Sequence, residues 1–249
     1  MIATLFQKNM DFDKFINQVV PKNRIVKSIN PPISDEEKKL FILAKDGTKK
    51  KEAIITIGDN KRQDAFFVRE NMGKGPYHLF ELHGDNTTNL AREWITHISA
   101  LAKLYYEYNI LSKYMTFEYN YTFVDKSRKS QDFPMDIVIF EPGSKNMILY
   151  VEVKKREKEV KDLLDYLKNN KVPFISDKDR EVSYADEIRK AKYLWHTRVK
   201  YLWLVYPDNL KTPEDNVYEV IYDTKNRKIE LKPIGNGIRY ITSKYNLGH

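Results

Sequence analysis

Apolar and polar positions along this chain follow two rhythms. Short runs with alternating or continuous apolar residues point to strands, and apolar residues recurring every three or four positions point to helices. Two runs stand together, Met135 to Phe140 and Met147 to Lys154. The link between them, Glu141 to Asn146, is rich in turn formers, so the pattern predicts a β-hairpin. Strand side chains alternate faces, which puts Glu152 and Lys154 on one face with Ile148 and Tyr150. A loop of Pro142 to Asn146, centred on Ser144, sets Phe140 opposite Ile148 and Asp136 opposite Glu152. Opposed residues carry Cβ atoms about 5 Å apart. Two carboxylates and an ammonium therefore converge on one end of an otherwise apolar hairpin, in a register where a one-residue slip would send Asp136 to the other face.

The same reading predicts a helix over Thr87 to Asn109, with Leu90, Trp94, Ile98, Leu101, Tyr105 and Tyr108 forming one stripe and Thr87 or Thr88 as cap. Thr116 to Val124 alternates as a strand. Arg156 to Asn169 and Asp186 to Arg198 read as helices. Tyr201 to Tyr206 is a continuous apolar run, expected of a central strand buried on both faces. Val217 to Asp223 and Lys228 to Pro233 read as a terminal hairpin. Upstream, Leu40 to Ala44, Ala53 to Ile57, Ala65 to Val68 and Tyr77 to Leu82 read as short β-like runs, and Ser34 to Glu37 fits a capping box before a short helix. The result is an α/β chain in which residues 1–84 form a β-containing N-terminal region and residues 85–249 carry the hairpin. No internal repeat or low-complexity linker interrupts it.

Composition narrows the class. The 249 residues include 43 Lys and Arg against 35 Asp and Glu, a formal charge of +8, which favours a polyanionic partner. Lys49, Lys50 and Lys51 on a loop, and Arg189 and Lys192 three apart on a helix, are candidate phosphate contacts; a solvated surface is the plain alternative. Most of the 17 Tyr and 12 Phe fall within apolar runs and read as core. Cysteine is absent, which removes disulfides and thiolate metal sites and fits a reducing cytoplasm. No apolar run approaches the roughly 20 residues that span a bilayer, and Met1 to Val20 has no apolar signal core, so a cytoplasmic location is expected. Gly73 to Pro76 lacks the spacing of a phosphate-binding loop, and there is no Gly-x-Ser-x-Gly elbow or His-Glu-x-x-His. His78 and His83 are near neighbours without an obvious third ligand.

The opposed carboxylates need a physical reason. They repel, and burying charge is costly unless it is paired or metal-bound. One of the two should titrate unusually high. A hard divalent cation resolves the conflict, since Mg²⁺ takes one or two carboxylates plus water and substrate phosphate. A lysine alongside can hold a water or a phosphate oxygen, the ingredients of metal-assisted phosphodiester hydrolysis.

Asp136, Glu152 and Lys154, with Pro134 shortly before the aspartate, resemble the signature of the PD-(D/E)XK nuclease superfamily over roughly residues 87 to 206. Met135 separates Pro134 from Asp136, a small departure. No Gln-x-x-x-Tyr follows, which sets the exonuclease branch aside. The resemblance implies a restriction-endonuclease-like core with a mixed central sheet flanked by helices. It implies Asp136, Glu152 and the backbone carbonyl of Val153 as ligands for Mg²⁺, with Mn²⁺ as substitute, and Lys154 as the residue that orients or activates water. The helix before the active strands often lends an acid in this family, and Glu93 is the candidate. The activity implied is endonucleolytic cleavage, of DNA first, in a chain that acts as a homodimer or with a partner protein. A non-catalytic nucleic-acid-binding or assembly module with the same fold, and an RNA-cleaving nuclease, are the alternatives.

Overall fold

A computed structural model describes residues 12–21, 24–26, 32–58, 65–69, 72–73, 75–83, 87–124, 130–174, 186–211 and 216–248. In chain order, α1 (Phe12–Val19) and β1 (Ile25–Val26) lead to α2 (Asp35–Asp46). Then come β2 (Ile55–Ile57), β3 (Ala65–Val68), β4 (Tyr77–His78), β5 (Phe80–Leu82) and β6 (Thr87–Leu90). Helix α3 (Arg92–Ala102) precedes β7 (Met115–Val124), β8 (Ser130–Phe140) and β9 (Met147–Val153). Helices α4 (Glu157–Asn169) and α5 (Asp186–Thr197) connect β9 to β10 (Tyr201–Val205). Strands β11 (Val217–Asp223) and β12 (Lys228–Pro233) and helix α6 (Gly237–Lys244) complete the order. Among the described residues, the chain is thus mixed α/β with six α-helices and three sheets.

The six-stranded sheet runs β12-β11-β10-β9-β8-β7. Strands β9 and β10 pair in parallel, while the other neighbours are antiparallel. Every residue of β9 and β10 is buried, as expected of strands covered on both faces. Two cores do the covering. On one face, Ile137, Ile139, Val151, Trp203 and Val205 pack with Ile95, Ile98 and Leu101 of α3. On the other, Val138, Tyr150, Leu202 and Leu204 pack with Val160 and Leu163 of α4 and Ala191 and Leu194 of α5. The parallel pair is closed by a crossover, which α4 and α5 supply. The α3-side core also includes Phe12, Phe41, Phe66 and Leu79, so it draws on residues from both sides of position 84. No helix among the described residues is long and apolar enough to cross a membrane.

Two elements differ from the sequence reading. The helix drawn from Thr87 starts only at Arg92, because Thr87 to Leu90 form β6 between β1 and β5. Two adjacent threonines and an asparagine are poor helix formers. The Thr88 hydroxyl donates to Glu81 O at 2.8 Å, which secures the strand. The helix then begins without a side-chain cap and ends in a π-helical turn, Lys103–Glu107. The run Leu40 to Ala44 lies in α2 rather than in a strand. The Ser34 capping box starts that helix, and the apolar run forms its inner face.

A buried polar clamp joins α2 to α3. Glu37, fully buried, accepts from Arg92 at 2.6 Å and from Thr96 at 2.8 Å, while Ser99 donates to the Glu37 carbonyl at 3.0 Å. On the opposite face, His196 of α5 packs against Phe123 and Phe133, with ring centroids 4.2 and 5.8 Å away. Burial, helped by Arg227, Arg198 and Lys192, pushes its pKa down from 6.5 to about 4. A depressed histidine contributes stability that is present above its unfolded pKa and is lost as pH falls through the folded value. Melting temperature should therefore fall more steeply between pH 6.5 and 4 in wild type than in His196→Phe. Parallel pH profiles for the two proteins would rule this out.

Candidate metal and phosphate site

The hairpin brings the signature residues to one end of the sheet. Its ladder pairs Ile137 with Val151, Val138 with Tyr150 and Ile139 with Leu149, the register expected from a turn centred on Ser144. At the loop end the register shifts, and Phe140 faces Met147 rather than Ile148. The turn itself causes this. Glu141 N–H donates to Asn146 O at 2.9 Å and Gly143 sits at φ 75°, so the loop closes tighter than a symmetric one.

At the other end the two carboxylates turn to different partners instead of facing each other. Asp136 Oδ2 accepts from the Val153 N–H at 2.6 Å and lies 3.6 Å from His97 Nε2 of α3. Glu152, 1% exposed, turns toward α5. It lies 2.7 Å from Lys154 Nζ and 2.8 Å from Lys190 Nζ, and accepts from the Tyr150 hydroxyl. Lys190 also donates to Tyr150 at 3.1 Å, and Lys154 donates to Asp186. Strand β7 explains the divergence. Its ladder with β8 omits the Glu118–Asp136 pair, and Glu118 adopts φ 51°. A left-handed residue inside a strand breaks the pleat, as a bulge does. The Glu118 side chain thereby reaches His97, with Oε1 3.0 Å from Nδ1.

The electrostatics follow from burial and neighbours. Glu152 titrates above its ordinary value, first because it is desolvated and next because Asp136 is near; Lys190 and Lys154 oppose the rise. Burial alone would lower Lys154, but Glu152 and Asp186 outweigh it and hold the ammonium above its usual range. Lys190 is likewise pushed up, with burial overcome by Glu152 and Asp136. His97 is raised too, because Asp136, Glu118 and Glu93 together outweigh its desolvation.

The remaining sequence candidates are distributed unevenly. Glu93 stands at the rim, with Oε1 3.7 Å from His97 Nε2 and Oε2 3.4 Å from Lys155 Nζ. Val153 contributes its N–H to Asp136. Lys49 and Lys50 are exposed, whereas Lys51 turns inward and donates to Tyr105 O at 2.5 Å. Tyr105 lies eight residues beyond His97, about 12 Å along a helix axis, so this lysine loop flanks the far end of α3. Arg189 is paired with Asp186 at 2.9 Å. Lys192 is 2% exposed and does not face solvent, contrary to its expected place on the polar face of α5. Its neighbour Lys190 is the cation that enters the site.

Four participants were missed from sequence: His97, Glu118, Asp186 and Lys190. For His97 a signal existed, since Glu93 and His97 are four apart and share a helix face. One ligand atom each from His97, Glu118 and Asp136 lie within 4.8 Å of one another, a mixed nitrogen and oxygen donor set that suits a divalent ion. Comparison with known proteins found no matching family model and no matching curated protein.

Proposed function

We propose that this chain is a divalent-metal-dependent phosphodiesterase with a restriction-endonuclease-like core, acting on nucleic acid and on DNA first. One observation carries the reading. Asp136 of β8, Glu152 of β9 and Lys154, the residue after β9, meet at one end of the central sheet, buried or nearly so, beside a helix that adds His97 and Glu93. The resemblance implies the order helix, strand, Asp-bearing strand, Glu-X-Lys strand, helix, strand, and the run α3, β7, β8, β9, α4, α5, β10 is compatible with it, with two helices in the place of one. The formal charge of +8 favours a polyanionic substrate.

The side chains suggest distinct roles. Lys154 is kept protonated by Glu152 and Asp186, so it acts as a charged donor to a water or a phosphate oxygen and not as a base. Glu152 fixes that ammonium in place. Asp136, His97 and the nearby acids offer the donors for a cation, which when bound neutralises phosphate charge and makes water a better nucleophile. In the reaction, water oxygen bonds to phosphorus, one ester P–O bond breaks, and a proton passes to the departing alkoxide.

The test is a panel of duplex DNA, branched DNA, single-stranded DNA and RNA, incubated with Mg²⁺, Mn²⁺ or chelator, using wild type and Asp136→Ala. Cleavage is expected with a divalent ion only, and should drop at least about a thousandfold in Asp136→Ala, a barrier increase of about 4 kcal/mol. Failure to cut any of the four substrates, or equal rates in the variant, removes the reading. The substrate that is cut separates DNA from RNA.

A further inference from the structure

The two sides of the hairpin end differ in charge balance. Toward α5, Lys154 touches both Glu152 and Asp186, Lys190 adds a second ammonium to Glu152, and Arg189 pairs with Asp186, so cations outnumber acids there. Toward α3, Asp136, Glu118 and Glu93 surround His97. Among the described residues, the only ammonium in contact with those three acids is Lys155, at the rim. A cation is thus already supplied on the first side and lacking on the second.

The His97 ring supplies an independent observation. The residue is 2% exposed, and its Nε2 is buried without a hydrogen-bond partner. A buried unsatisfied ring nitrogen is costly. Nε2 points at Asp136 Oδ2 and Glu93 Oε1, which stand 3.6 and 3.7 Å away, too far for a good hydrogen bond. Two donors on one ion at about 2.1 Å are separated by about 3.0 to 3.4 Å in octahedral or tetrahedral geometry, so only a small inward adjustment is needed. Nδ1 is meanwhile held by Glu118 at 3.0 Å. A carboxylate on one ring nitrogen that frees the other for metal is a recurrent arrangement around metal-binding histidines.

Building on the phosphodiesterase reading, we propose that the divalent cation is held on the α3 side. His97 Nε2 and Asp136 are its ligands, Glu93 closes in from the rim, and Glu118 orients the imidazole. Glu152 is left to the two lysines and is not a ligand. An imidazole donor favours a first-row transition ion over Mg²⁺, which prefers oxygen and sheds water reluctantly, and Mn²⁺ accepts both imidazole and carboxylate. The site should take Mn²⁺ in preference to Mg²⁺. Lys190, an ammonium supplied by α5, occupies the charge role that a cation on Glu152 would otherwise fill.

The experiment is a Mn²⁺ titration of the full chain without nucleic acid, reading free Mn²⁺ by electron paramagnetic resonance, with Mg²⁺ as competitor. Wild type should bind one Mn²⁺ at least tenfold more tightly than Mg²⁺. His97→Gln and Asp136→Asn should each weaken Mn²⁺ binding at least tenfold, and His97→Gln should narrow the preference over Mg²⁺. Glu118→Gln, at a partly exposed position, should weaken it about tenfold and stands in if His97→Gln fails to fold in chelator. Glu152→Gln should leave the Mn²⁺ affinity within about threefold, whatever it does to cleavage. Absence of Mn²⁺ binding overturns the proposal. So does a loss in Glu152→Gln equal to that in Asp136→Asn with Glu118→Gln unaffected. If Mn²⁺ follows Glu152 while metal-dependent cleavage persists, the placement fails and the phosphodiesterase reading stands. If Mn²⁺ binds as described and no nucleic acid is cut, only that reading fails.

Discussion

Lys190→Met should lower the stability of the metal-free protein by about 3 to 5 kcal/mol at neutral pH, the usual result of removing one partner from a buried ion pair. Lys190 is 9% exposed and touches both Glu152 and Tyr150. Its loss leaves Glu152 with one ammonium in a site that already disfavours the carboxylate. The pH dependence has a definite sign. Glu152 has a raised folded pKa, so the stability associated with its protonated form is present below the unfolded value of about 4.5 and is lost as pH rises through the folded value. Lys190 is raised as well. Its contribution is complete below its unfolded value of 10.5 and disappears as pH climbs through the folded one. The deficit of Lys190→Met should consequently be largest between these limits and shrink toward pH 4. Replacing the pair together, Glu152→Leu with Lys190→Met, should restore part of the loss, because no charge is then left stranded. Denaturant titrations of wild type and the variants at pH 4 and 8 measure this. A pH-independent deficit, or a double mutant less stable than the single one, would show that charge is not what couples the two residues.

The second large effect is remote from the site. Arg92→Met should cost about 3 to 5 kcal/mol, since it strips the guanidinium from Glu37, which is fully buried between α2 and α3. Thr96 and the Ser34 cap still bond the carboxylate, so Glu37 keeps hydrogen bonds but loses its only opposite charge among the described contacts. Because α3 also carries Glu93 and His97, loosening the clamp should weaken Mn²⁺ binding without altering a single donor. Chemical denaturation and the Mn²⁺ titration read the two effects separately. A destabilisation below about 1 kcal/mol would mean that solvent reaches Glu37 and replaces the arginine.

The hairpin was legible because its information is local. Turn formers between two apolar runs fix a register, and the register puts Asp136 and Glu152 at the same end. The direction each carboxylate takes was not legible, because it depends on residues far away in sequence. Glu118 leaves the pleat, and Lys190 arrives on a helix whose buried face includes positions 190, 191 and 194. Spacing alone chose Arg189 and Lys192 as a matched pair. The helix phase placed one outside, paired to Asp186, and the other inside. His97 carried one local signal, its four-residue spacing from Glu93, but the two carboxylates of β7 and β8 that complete its surroundings lie far along the chain. Leu90 was absorbed into a helical stripe for want of any signal that β1 and β5 would bracket Thr87 to Leu90 as a strand.

The crossover between β9 and β10 has one further effect. Lys154 leaves the sheet at its start, and Asp186, thirty-two residues later, returns to pair with it; Lys190 reaches Tyr150 across forty. These contacts close the neck of a long excursion, so the entropy of closing that loop is met by the same ions that shape the site. The constellation is therefore a composite of two chain segments. The stretch from Glu93 to Lys154 brings its own acids and imidazole, while its balancing ammonium and Asp186 arrive only once the excursion is complete. During synthesis the first half emerges with Glu152 lacking Lys190, and the order of the chain dictates that charge neutrality around Glu152 is the last feature of the site to form.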